Sequence, residues 1–173
     1  MSDYMIILET ERLVVRELSL DDAAFVLELL NEPAFHRYIG DKGVRDLAGA
    51  EKYIREGPQA SYAKHGHGLW LVALKDGGTP VGMCGLLKRD YLDHPDLGYA
   101  LLARHGGQGY ASEAASATLA HARSGLKLGT ILAVTAQENP ASIRLLSKLG
   151  FKFDRMITTP GQAEPSRLFS RNP

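Results

Sequence analysis

Between residues 104 and 109 the chain reads Arg104-His105-Gly106-Gly107-Gln108-Gly109, with an apolar run before it and an Ala-rich stretch after it. A strand that stops at a glycine cluster and resumes as a helix aims several free backbone N–H groups at one point, where the helix dipole favours negative charge. That is the outline of a phosphate site. Gly107 and Gly109 carry no Cβ to keep a pyrophosphate from the backbone, and Arg104 either supplies a cation or fixes the loop. The plain alternative is a tight strand-to-helix turn with no ligand. A P-loop fails, because Gly109 is followed by Tyr110-Ala111 and not by Lys and Ser or Thr. A dinucleotide fingerprint comes nearer, since Gly107-Gln108-Gly109-Tyr110-Ala111-Ser112 matches it except at the last place and Glu138 ends the next strand. That fold needs more parallel crossovers than the chain beyond Glu138 supplies.

Other chemically able residues have structural readings beside the functional ones. Asn139-Pro140 is what a helix N-cap and first turn require, and Ser142 can satisfy backbone in that turn. Glu113 reads as structural, favouring the helix dipole or bridging to a strand. His65 and His67 share a loop without nearby cysteine or carboxylate partners, a poor metal site. The single cysteine, Cys84, lies in an apolar stretch and reads as a buried strand residue of a reduced cytosolic protein.

The elements that must position these residues follow from periodicity. Arg12 to Leu18 reads as a strand, and a helix starting at Ser19 or Asp21 runs to Asn31-Glu32-Pro33. A second helix spans Asp46 to about Glu56, and the polar, breaker-rich segment from Pro58 to Gly68 reads as a loop. Leu69 to Leu74 and Val81 to Leu87 form an antiparallel hairpin across Lys75 to Pro80. Asp96 to Leu102 is a strand, Tyr110 to Arg123 a helix, Thr130 to Ala136 a strand and Asn139 to Leu149 a helix ended by Gly150. Phe151 to Ile157 and Ser166 to Ser170 close the chain as a strand pair. This order makes one mixed α/β sheet with helices on both faces, in a single domain spanning 1–173.

The 173 residues carry 20 Lys plus Arg and 20 Asp plus Glu, so no net field draws the protein to nucleic acid or an anionic membrane. The run Met5 to Leu8, flanked by Asp3, Glu9 and Glu11, lacks the basic start and length of a signal peptide, and no apolar run reaches the roughly 18 residues of a membrane span. A cytoplasmic protein is expected.

At this point the residues resemble the GCN5-related N-acetyltransferases (GNAT), and within them the RimJ/RimL-like group of ribosomal-protein N-terminal acetyltransferases. Arg104 to Gly109 fits the family's pyrophosphate motif, and Tyr110 to Ala114 looks like the start of its cofactor-binding helix. Thr10-Glu11-Arg12-Leu13 with Arg16 and Asp21-Asp22-Ala23 is similar to the opening strand and helix, Asp96-Leu97-Gly98-Tyr99 to the strand before the loop, and Asn139 to Phe151 to the last helix. The similarity spans about 10–158.

The resemblance implies a mostly antiparallel sheet with a splayed parallel pair, and direct attack of a primary amine on acetyl-coenzyme A. Backbone groups of Leu101 and Leu102 would hold the pantetheine arm, and those of Gln108, Gly109, Tyr110 and Ala111 the pyrophosphate, with Arg104, Gly107, Asn139 and Ser142 also at the cofactor. The family's acid tyrosine is replaced by Leu146, so Ser142 is nominated to protonate the thiolate and Asp96 to lead the amine's proton away. Tyr38, Tyr62, Trp70 and Tyr91 are candidates to line an acceptor pocket shaped by loops 33–45, 57–68 and 88–95. Glu32, Asp41, Asp90 and Asp93 would draw a cation there, or are scattered surface acids. The acceptor is a small-molecule amine or a protein N-terminus, and the protein a monomer or homodimer. Two rivals stand beside this reading: a non-catalytic acyl-coenzyme A sensor and a dinucleotide-binding oxidoreductase.

Overall fold

The computed structural model describes residues 4–173; Asp3, part of the leader reading, lies outside them. Eight strands form one sheet: β1 (Ile6–Glu9), β2 (Leu13–Arg16), β3 (Leu69–Leu74), β4 (Pro80–Leu87), β5 (Asp96–Leu101), β6 (Ile131–Ala136), β7 (Lys152–Ile157) and β8 (Ser166–Arg171). Their spatial order is β1-β2-β3-β4-β5-β6-β8-β7, and every neighbouring pair is antiparallel except β5 with β6. The helices are α1 (Ala23–Leu30), α2 (Pro33–Tyr38), α3 (Leu47–Ile54), α4 (Ala60–His65), α5 (Tyr110–Ser124) and α6 (Pro140–Lys148).

Period-two alternation sorts the side chains of β3 into two cores. Trp70 and Val72 join Ala115, Leu119 and Leu146 beneath α5 and α6. Leu71 and Ala73 join Val26, Leu29 and Ile54 beneath α1 and α3. Helices therefore cover both faces, as the strand and helix order requires. The start of α1 is set locally: Ser19 and Asp22 form a capping box ahead of it, and Asp22 takes both Arg16 nitrogens at 2.9 Å, tying helix to strand.

Four features go beyond or depart from expectation. Pro58 does not end the helical region; a π-turn over Arg55–Gln59 widens the coil where proline has no N–H to donate, and α4 continues to His65. Pro33 likewise opens a helix, since the first helical position needs no N–H. The run at Met5 to Leu8, left unassigned in sequence, contributes edge strand β1. Finally, β8 inserts between β6 and β7, so the closing strand pair joins the sheet through its second member.

Candidate active site

The glycine loop presents the backbone in the way its composition suggests. After β5, Ala103–His105 makes one 3₁₀ turn, in which His105 N–H donates to Leu102 and Gly106 N–H to Ala103. Gly107 and Gly109 then take positive φ, +73° and +84°, which a side chain would strain, and Gly109 caps the 15-residue α5. The next paired amide is Glu113, which donates to the Gly109 carbonyl at 3.0 Å. Among the described residues the N–H groups from Gly107 through Ser112 have no acceptor, and they gather at the positive end of α5.

Arg12, on the turn into β2, braces this loop. Its Nε meets Glu113 Oε1 at 2.7 Å, its Nη1 donates to the Gln108 carbonyl at 2.9 Å, and its guanidinium lies 4.5 Å over the Tyr110 ring. Thr10 also donates to Glu113, so Glu113 is the expected bridge from helix to strand. Arg104 points elsewhere and forms an exposed ion pair with Glu28 of α1. Of the two roles open to Arg104, this geometry fits fixing the loop.

Beside the loop the sheet opens. β5 and β6 share a single register pair, Asp96 with Leu132, and then part. Leu102 donates its N–H to Val81 and its carbonyl accepts from His105, so both of its backbone groups already have a partner. Of the two residues expected at the pantetheine arm, Leu102 thus offers only the second lone pair of its carbonyl. The alternation of an antiparallel strand turns the backbone groups of Tyr99 and Leu101 the other way, toward the gap left by β6. The cleft there has a volume of about 1180 Å³ and is lined by the ends of both strands and the start of α6. Thr135 of β6, whose buried hydroxyl has no hydrogen-bond partner among the described residues, also contributes to its wall.

Asp96, Tyr99 and Ser142 are among the side chains that line this cleft. Asp96, 1% exposed, meets Arg89 Nε at 3.1 Å, and Arg89 donates onward to the Tyr91 hydroxyl. Burial outweighs the Arg89 charge and pushes the Asp96 carboxyl up to about 6. Across the gap Asn139 caps α6 by accepting from Ser142 N–H at 3.3 Å, and the Ser142 hydroxyl lies 2.5 Å from that of Tyr99. Burial pushes Tyr99 up to about 12, against the opposing effect of its bond to Ser142. Tyr99 was legible only as part of a family motif. Its place beside Leu97 and Leu101 on the α6 face follows from alternation, but its meeting with Ser142 needed the fold. Leu146 is packed in the core.

The remaining candidates divide. Tyr38 and Tyr91 line the cleft; Trp70 is core, and Tyr62 is held by the Leu69 carbonyl and Leu18 N–H. His67 is buried against the Leu86 carbonyl, and no cluster of three metal-ligating side chains occurs among the described residues. Cys84 is buried beside Thr118, and burial pushes its thiol up to about 12. Glu32 accepts from the Ala103 amide, and Asp41 is already paired with Arg45. With one parallel pair, the sheet lacks the doubly wound half that a dinucleotide fold requires. No helix among the described residues is long and apolar enough to cross a membrane.

Comparison with known proteins agrees with this geometry. An N-acetyltransferase of uncharacterized role, YoaA of Bacillus subtilis (strain 168), is 30% identical over 153 residues, covering 87% of this chain and 85% of its own. An acetyltransferase structure from Agrobacterium tumefaciens str. C58 superposes with a TM-score of 0.80 at 25% identity, over 96% of this chain and 94% of the other. RimL, a ribosomal L7/L12 alpha-N-protein acetyltransferase solved with coenzyme A, shares the fold at a TM-score of 0.84 and 14% identity, over 97% and 98% of the two chains. The family model of the acetyltransferase (GNAT) domain matches residues 12–152, and the chain belongs to that family.

Proposed function

We propose that this protein acetylates a primary amine, a protein N-terminus or a small molecule, by direct transfer from acetyl-coenzyme A. The observation that carries the reading is the row of unpaired N–H groups from Gly107 to Ser112, opening beside a cleft whose wall holds Asp96. Those amides and the dipole of α5 would seat the pyrophosphate, and the outward backbone of Leu101 and Tyr99 would hold the arm. Bound there, acetyl-coenzyme A supplies an activated thioester carbonyl. Asp96, raised to about 6, is ionised at neutral pH yet basic enough to receive the amine's proton, directly or through water. Ser142 would hand a proton to the thiolate and be replenished from Tyr99, which does the work of the hydroxyl absent at Leu146. This pair also removes the main support for a non-catalytic sensor.

Isothermal titration of acetyl-coenzyme A into wild type and Gly109→Trp tests the seat. Micromolar binding that weakens by about 100-fold in the variant supports it, because an indole at that φ would fill the loop. Equal binding by both proteins, or none by either, overturns it.

A further inference from the structure

The acceptor end of the cleft is built for negative charge. Arg37, Lys42 and Arg89 line it. Asp41, the neighbouring acid, is already held by Arg45, with His36 at 3.8 Å. Arg37 stacks on the Tyr38 ring at 5.0 Å. Arg89 spends Nε on Asp96 and Nη1 on Tyr91, which leaves Nη2 and its two hydrogens unassigned. No acid among the described residues pairs with Lys42. Glu138 and Glu164 also line the cleft, but neither forms an ion pair with a cationic side chain there.

The surroundings of Lys42 disfavour its charge. Although Lys42 is exposed as a residue, its ammonium sits among enough atoms that desolvation and the positive charge of Arg89 both lower its pKa, and no acid opposes them. Lys42 and Arg89 line one cavity, Arg89 paired with Asp96 and Lys42 with no acid among the described residues, and an anion entering from outside relieves their repulsion.

Building on the acetyl-transfer reading of the cleft, we infer that the acceptor carries a carboxylate or phosphate a few atoms from its amine, seated by Lys42 and the free edge of Arg89. The amine then falls beside Asp96, which touches Arg89 at 3.1 Å. Free amino acids meet this requirement, as does a protein N-terminus with an acidic first side chain. A polyamine does not, because its second charge would face Lys42.

The test uses matched acceptors with acetyl-coenzyme A: alanine against alaninamide, phosphoserinamide against serinamide, a peptide beginning with Asp against one beginning with Asn, and spermidine. In at least one pair the anionic member should have a kcat/KM higher by about ten-fold or more, and Lys42→Glu should reduce or reverse that ratio. The pair that responds identifies the source. Preference for spermidine or the neutral members, or a ratio unmoved by Lys42→Glu, overturns the inference. If no amine is turned over, inorganic phosphate is titrated into the coenzyme A-loaded protein while the ¹³C-methylated Lys42 signal is followed, with Lys42→Gln for assignment. A saturable shift supports the seat and a flat titration overturns it. Failure of acetyl-coenzyme A to bind would instead refute the cofactor reading, and the Lys42 signal still reports on the anion seat in that case.

Discussion

The two ends of the cleft are made in different ways. At the phosphate end the functional groups are backbone amides of consecutive residues, and side chains such as Arg12 and Glu113 only hold the loop still. At the acceptor end they are side chains from distant segments: Lys42 after α2, Arg89 and Asp96 around the start of β5, Tyr99 within it, and Ser142 on α6. A site of consecutive amides tolerates most side-chain changes and fails when the backbone is altered. A site of convergent side chains depends on each atom, and its affinities can change without disturbing the fold.

The largest effect is expected at the acceptor end. Asp96→Asn should lower kcat/KM by about 100-fold while leaving acetyl-coenzyme A affinity within about two-fold, because it removes a proton acceptor and no cofactor contact. In the wild type the ionised fraction of Asp96 grows as pH rises through about 6, so kcat/KM should climb through that value and level off above it. That limb should vanish in Asp96→Asn, as steady-state rates between pH 5 and 9 would reveal. A wild-type profile flat through pH 6 would break the contrast.

A smaller loss is expected for the hydroxyl pair. Tyr99→Phe and Ser142→Ala should each reduce kcat by about ten-fold, and the double variant should be little worse than either, since both act on one proton path. Additive losses would separate the two residues. The smallest effects belong to the phosphate loop's side chains. Arg12→Ala should weaken acetyl-coenzyme A binding by about five-fold in titration calorimetry, since it frees the Gln108 carbonyl and Glu113 together. Arg104→Ala should change it by less than about two-fold, because an exposed ion pair with Glu28 contributes little. A large loss in Arg104→Ala would show that a side-chain cation binds the phosphate after all.

This contrast also explains how far the molecule was legible from its residues. The hairpin at Lys75 to Pro80, the crossover through α5 and the capped start of α6 carry their own local signals, and each lies where it was expected. The helical stretch across Pro58 was missed, because a π-turn that absorbs proline depends on packing around a buried ring and leaves no mark in local composition. The insertion of β8 between β6 and β7 was equally silent, since strand order beyond neighbours is a long-range property.

By itself the sequence determined the phosphate loop and the element order, because glycine backbone freedom and hydrophobic period act over a few residues. The tertiary structure decided the rest. Whether Leu101 or Leu102 faced the gap depended on the register with β4. Whether Asp96 stayed an ordinary carboxylate depended on burial, and whether Ser142 had a partner depended on Tyr99 reaching it from another element. Lys42 gained its significance only when the fold set it in one cleft with Arg89 and with no acid among the described residues paired to it. Charge and proton chemistry depend on distance and desolvation, and those are set by residues far apart in the chain.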